Sequence, residues 1–191
     1  MKIYIFSPIN SGSNLLKHFL IQSGLQVSND NLEPHHKYWK HSIFFNRIDS
    51  EAKYILIIKN PFSWYESYLK TPYHTTLINK ESITTTYLKF EKFSHPYHWD
   101  AIESIQLREM WLLYYNTYIQ LTKLKNVILI HFESFIRQPK TILKMLSIFL
   151  QCEINTSDEF IAEILSKPSK NHGSCNSYHN KDKPRVYQRN H

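Results

Sequence analysis

Three short, continuous apolar runs punctuate the chain, at residues 2–6, 54–58 ("YILII") and 127–132 ("VILIHF"). Unbroken apolar runs of this length predict strands buried on both faces of a sheet, where no polar alternation is needed. Between them the apolar spacing is helical. Leu15, Leu16, Phe19 and Leu20 predict a helix from about Ser13 to Ser23, with Gly24 as its stop. Pro61 suits the first turn of a helix running to about Lys70. A long helix is predicted over residues 101–124. Pro139 opens another, carrying Ile142, Leu143, Met145, Leu146 and Phe149, and a short helix is predicted at 157–165. Residues 71–100 are aromatic and irregular, with one predicted helix at about 82–93, and a fourth strand is placed near 38–45. Residues 28–37 and 166–191 are polar, and no repeat is present. Strands alternating with helices imply an α/β fold around a central parallel sheet flanked by helices.

A length of 191 residues implies a single domain, 1–191. With 42% hydrophobic and 20% charged residues, the chain can bury a core and does not read as disordered. No run reaches the ~18 apolar residues of a membrane span, and the N-terminus lacks a secretory pattern. The expectation is an unprocessed cytoplasmic protein, in which Asn155-Thr156-Ser157 carries no glycan and Cys152 and Cys175 are free thiols. The net charge of +7 implies anionic partners. The basic residues are scattered, which argues against a nucleic-acid or membrane-binding arm.

The junction between the first strand and helix, "SPINSGSN" at 7–14, holds Gly12, one of only three glycines. A loop leaving a buried strand for a helix sits at the carboxyl edge of the sheet, where α/β folds bind ligands. The helix N-terminus there offers unpaired N–H groups to an anion. Ser11 and Ser13 add hydroxyls, and Asn14 adds an amide. An ordinary turn with a capping serine reads equally well from these residues alone. The nucleoside-triphosphatase pattern G-x-x-x-x-G-K-[ST] is absent.

The second strand continues as "YILIIKNPFSWYESYLK", residues 54–70. A basic residue at the strand end, Lys59, then Asn-Pro, then a serine eight positions on, Ser67, resembles the 3′-phosphate-binding segment of sulfotransferases. The 7–14 loop then resembles that family's 5′-phosphosulfate loop. "NVILIHFESFIRQPKTILKMLSIFL", 126–150, resembles its strand–"YEDL"–Pro–helix region. These matches span about half the chain and look most like small bacterial-type members.

The resemblance implies a P-loop-NTPase-like three-layer fold and a sulfotransferase. Such an enzyme moves a sulfuryl group from 3′-phosphoadenosine 5′-phosphosulfate (PAPS) in line to an acceptor hydroxyl of a saccharide or small molecule. It leaves 3′,5′-adenosine bisphosphate (PAP) and needs no metal. It implies that Asn10, Ser11, Gly12, Ser13 and Asn14 hold the 5′-phosphosulfate and that Lys59 and Ser67 hold the 3′-phosphate. The family commonly has Lys or Arg where this chain has Asn10, so either another cation, Lys40 or Lys17, substitutes or the rate is lower. "HHKYWKHSIFF", 35–45, lies where the family carries a basic residue and a base. His41 is the expected general base with Lys40 as charge stabiliser, and His36 and Glu33 are the alternatives. Glu133 matches the family glutamate and reads as structural. The basic tail, through Lys170 to Gly173 or Arg185, would close over the cofactor or stay solvated. Two other readings remain open: a nucleotide or small-molecule kinase of related fold, and a non-catalytic nucleotide-binding module.

Overall fold

The computed structural model describes residues 1–29, 40–43, 48–71, 75–90 and 104–166. The three apolar runs form one parallel sheet. Strand β1 (Lys2–Phe6) pairs with β2 (Ala52–Ile58), and β2 pairs with β6 (Val127–His131). Because successive side chains on a strand point to opposite faces, each strand feeds two cores. Tyr4, Phe6, Tyr54, Leu56 and Ile58 pack on one face, against Trp64 and Tyr68 of α2 (Pro61–Lys70) and Tyr114 and Tyr118 of α3 (Leu107–Leu121). Ile3, Ile5, Ile55 and Ile57 pack on the other. There they meet α1 (Ser13–Gln22), α4 (Phe132–Arg137), α5 (Pro139–Leu150) and α6 (Asp158–Ser166). The expected three layers are therefore present, and no described helix is long and apolar enough to cross a membrane.

The middle of the chain departs from expectation. Instead of a helix at 82–93 there is a strand, β4 (Tyr87–Phe90). It lies antiparallel between β3 (Thr75–Ile78) and β5 (Ser104–Gln106) in a second, small sheet. Leu88 is fully buried between its partners Leu77 and Ile105, whereas Tyr87 and Lys89 are exposed, a two-residue period that a helix cannot satisfy. Ahead of it, Ser82, Thr85 and Thr86 bond to one another and to nearby backbone. Such local hydroxyl bonds compete with a helical ladder. The long helix is shortened to α3 because 104–106 are drawn into β5, and the Leu107 N–H is held by the Thr86 carbonyl. Strand β6 stops at His131, and α4 fills the gap before Pro139.

Of the fourth strand placed near 38–45, the described residues 40–43 are not a strand. They lie beside the open edge of β1, where the Lys40 carbonyl accepts from the Ser7 N–H at 2.8 Å. Further along that edge, Ser28 and Asn29 take the place of a pairing strand. The Ser28 N–H donates to the Ile3 carbonyl at 2.7 Å, and the Asn29 side chain bonds both the Ile5 N–H (3.0 Å) and the Ile5 carbonyl (2.7 Å). An unpaired buried edge would leave these groups orphaned.

Asn29→Ala would strip Ile5 of both partners in a site that is 2% exposed. We expect the unfolding free energy to fall by about 2–4 kcal/mol. Urea denaturation followed by far-UV circular dichroism measures it, and an unchanged midpoint would rule out this edge role for Asn29.

Candidate functional site

Register places the site. Phe6 pairs with Leu56 and Ile58 with His131, so the residues that next leave the sheet at its carboxyl edge are Ser7, Lys59 and Phe132. Ser7 opens the loop to α1. Asn10 (φ 64°) and Gly12 (φ 88°) both adopt the left-handed conformation there. Asparagine tolerates it and glycine accepts it without strain. Gly12 has a second reason to be glycine: a Cβ at this position would overlap the Phe132 ring. Gly12 caps α1 by its backbone alone, and its carbonyl accepts from the Leu15 and Leu16 N–H groups. The first N–H groups of α1 point out of the helix without intrahelical acceptors. The Ser11 hydroxyl is buried, with no partner among the described residues.

The loop is held from two sides. The buried indole of Trp64 donates to the Ile9 carbonyl at 2.6 Å, and the Asn10 amide donates to the Thr71 carbonyl at 2.8 Å. Both fasten the loop to α2. The amide of Asn10 is thus engaged with the end of α2, while its backbone shapes the loop. On the other side, the His41 ring meets the Ser7 carbonyl through Nδ1 at 2.9 Å. Because a carbonyl only accepts, Nδ1 carries the proton and Nε2 is the unprotonated nitrogen. The hydroxyl of Tyr114 donates to the His41 carbonyl at 2.7 Å, and Lys40 Nζ donates to Asn14 Oδ1 at 2.8 Å, on the first turn of α1. His41 is buried, which is the main reason that its pKa falls to about 3. The neighbouring Lys40 charge lowers it further, and the Ser7 carbonyl works weakly the other way.

The predicted 3′-phosphate pair is assembled. Lys59 Nζ donates to Ser67 Oγ at 2.6 Å, and Ser67 Oγ donates in turn to the Ser63 carbonyl at 2.9 Å. Ser67 stands two turns into α2, so a strand-end lysine reaches it directly. The side chain of Asn60 caps α2 by accepting from the Phe62 N–H. Glu133 accepts from the Asn60 N–H at 2.9 Å, in keeping with its structural reading. Partial burial lowers the Lys59 pKa, and the Glu133 charge opposes that shift. The Lys59 carbonyl is fixed by the Trp111 indole at 2.8 Å. The Lys59 ammonium lies 5.1 Å from the centre of the Phe132 ring.

The structure thus gathers Lys40, His41 and Asn10 to Asn14 around one loop, and Lys59 with Ser67 on its α2 side. Lys17 is buried on α1. Sequence reasoning did not single out Trp64, Trp111 or Phe132. The available signals were a tryptophan one turn into the Pro61 helix and an aromatic residue directly after the third strand. Glu33, His36, Lys170, Gly173, Arg185 and Cys175 lie outside the described residues. Among the described residues no three His, Cys, Asp or Glu side chains cluster as metal ligands.

The buried imidazole couples folding to pH. His41 is neutral in the fold down to about pH 3 but takes a proton near pH 6.5 when unfolded. Below pH 6.5 the unfolded state binds the extra proton, so stability is lost as pH falls, approaching ~1.4 kcal/mol per pH unit for one proton. His41→Asn can keep a donor to Ser7 without titrating. We expect urea midpoints between pH 6.5 and 4 to fall less steeply for this variant, and equal slopes would contradict the buried neutral histidine.

Comparison with known proteins bears on these features. No curated protein matches the chain. Among solved structures, the mouse sulfotransferase SULT7A1 complexed with PAP aligns at 17% identity and a TM-score of 0.45, over 85% of this chain and 62% of that one. This chain therefore spans less than two thirds of that relative's length. The sulfotransferase-domain profile matches residues 26–189. That match begins beyond the glycine loop and leaves the loop as a separate observation. With a match over most of its length, the chain belongs to the sulfotransferase-domain family.

Proposed function

We propose that the protein transfers a sulfuryl group from PAPS to an acceptor hydroxyl, leaving PAP. The observation that carries this reading is the Lys59–Ser67 pair, at 2.6 Å, set beside the glycine loop at the same sheet edge. A lysine and a serine hydroxyl at that place suit a 3′-phosphate, the group that separates PAPS from ATP. The loop fits the other end of the molecule. It offers outward N–H groups at the start of α1 and a buried Ser11 hydroxyl lacking a described partner, which an anion would satisfy.

PAPS supplies an activated sulfuryl group whose departure leaves negative charge on the 5′-phosphate. Ser11, Gly12, Ser13 and Asn14 line that end. Lys40, bonded to Asn14 at 2.8 Å, brings to the loop the positive charge that Asn10 lacks. His41 receives the acceptor proton at Nε2, its Nδ1–H anchored on the Ser7 carbonyl. Burial keeps the ring neutral and able to accept a proton, but makes it a weak base in the free protein. An anion bound next to Lys40 would offset that lysine's charge and raise the His41 pKa toward the working range. The acceptor class on this reading is a hydroxyl of a saccharide or small molecule.

A second reading, a nucleotide-binding module without chemistry, is favoured by two observations: the Asn10 amide is committed to Thr71, and His41 is strongly buried. Turnover separates the two readings.

Calorimetric titration should show PAP binding more tightly than ADP. Lys59→Ala should weaken PAP by roughly 10- to 100-fold, the worth of a charged hydrogen bond, with little effect on ADP. A preference for ADP would sink the sulfotransferase reading. His41→Asn should lower turnover by at least about 100-fold while PAP affinity stays within about twofold. Full turnover in that variant would assign the base elsewhere, and tight PAP binding without turnover by the native protein across a broad acceptor panel would favour the binding module.

A further inference from the structure

Phe132 touches both halves of the nucleotide site. One side of its ring fills the space that a Cβ on residue 12 would need, so the ring rests against the backbone of the glycine loop. The Lys59 ammonium sits 5.1 Å from its centre, within reach of a cation–π interaction, while donating to Ser67. The register explains why one ring can do both: Ile58 pairs with His131, so Lys59 and Phe132 leave adjacent strands side by side. The ring is partly buried and packs on the α1 side of the sheet, which fixes its position.

A lysine needs such support. Its charge rides on a flexible four-carbon stem and lacks the rigid fork of arginine, so its placement must come from its surroundings. Here the ammonium is partly withdrawn from water, and its pKa is lowered by that burial. The negative face of an aromatic ring compensates some of the lost hydration without neutralising the charge. The hydroxyl of Ser67 provides the second fixed point.

We propose that Phe132 is a positioning residue for 3′-phosphate recognition. Its ring is wedged against Gly12 and holds the Lys59 ammonium toward Ser67, so that the two phosphate-binding halves are set at a fixed spacing. This inference rests on the PAPS reading above. It differs from a direct contact with the nucleotide, because Phe132 acts through Lys59 and affects only ligands that carry a 3′-phosphate.

The test compares PAP with 5′-AMP, which lacks only the 3′-phosphate, by calorimetry on the full chain. The native protein should prefer PAP. In Phe132→Leu the ratio of the two dissociation constants should fall by roughly fivefold, mainly through weaker PAP binding. Phe132→Tyr, which keeps the ring, should restore the native ratio. Phe132→Met, which keeps the volume without the ring, should behave like the leucine variant and carries the test should that variant fold poorly. In a Lys59→Met background, adding Phe132→Leu should leave the ratio unchanged. A native preference for PAP that survives in both ring-less variants overturns the inference and leaves the sulfotransferase reading standing. Equal loss for PAP and 5′-AMP, or a further drop in the Lys59→Met background, also overturns it. A native ratio near one overturns the underlying reading and this inference together.

Discussion

Every feature of the site depends on the parallel register of β1, β2 and β6. Parallel pairing sends all three carboxyl ends to one edge. The pairs Phe6–Leu56 and Ile58–His131 then fix where each strand releases its chain. A one-residue slip of β2 would turn Tyr54, Leu56 and Ile58 from one core into the other and carry Lys59 away from both the glycine loop and Phe132. The two apolar layers that forbid such a slip are therefore what position the chemistry. The sheet can be this short because both faces are covered, by α2 and α3 on one side and by α1, α4, α5 and α6 on the other.

The loop at that edge is built by other parts of the chain as much as by its own residues. Trp64 and Thr71 hold it from α2, and Lys40 and His41 hold it from the segment beside β1. A loop fastened at several carbonyls and N–H groups has little conformational freedom left. The fastening has a consequence for acid–base behaviour. The same burial that lets His41 anchor Ser7 makes its imidazolium form unfavourable, so the ring that fastens the loop is held neutral.

Positive charge in the site is arranged in a comparable way. Lys40 and Lys59 each donate to a neutral oxygen, Asn14 Oδ1 and Ser67 Oγ. A neutral partner such as the Ser67 hydroxyl orients an ammonium without cancelling its charge. Glu133 lies near enough to influence Lys59, but its carboxylate accepts from the Asn60 N–H, so it steadies the start of α2. Aromatic rings perform the remaining positioning, Trp111 on the Lys59 carbonyl and Phe132 beside its ammonium.

The sheet strands, the helices opened by Pro61 and Pro139, and the pairing of Lys59 with Ser67 were legible in the sequence. The strands and helices follow local rules, unbroken apolar runs and proline at a helix start, whereas the pairing of Lys59 with Ser67 was implied by the resemblance to the sulfotransferase segment. The second sheet was not legible, because "TTTYLKF" has no strong periodicity and becomes strand only through partners at 75–78 and 104–106. Gly12 was recognised as special from its place in the loop. That it must also clear the ring of a residue 120 positions later followed only from the packing. Asn10, Trp64 and His41 acquired their partners in the same way, through contacts between segments that are distant in sequence. Local pattern thus determined which residues stand at the strand ends. Tertiary structure decided which of them touch and how far each is withdrawn from water, because hydrogen-bond partners and desolvation are properties of the folded chain.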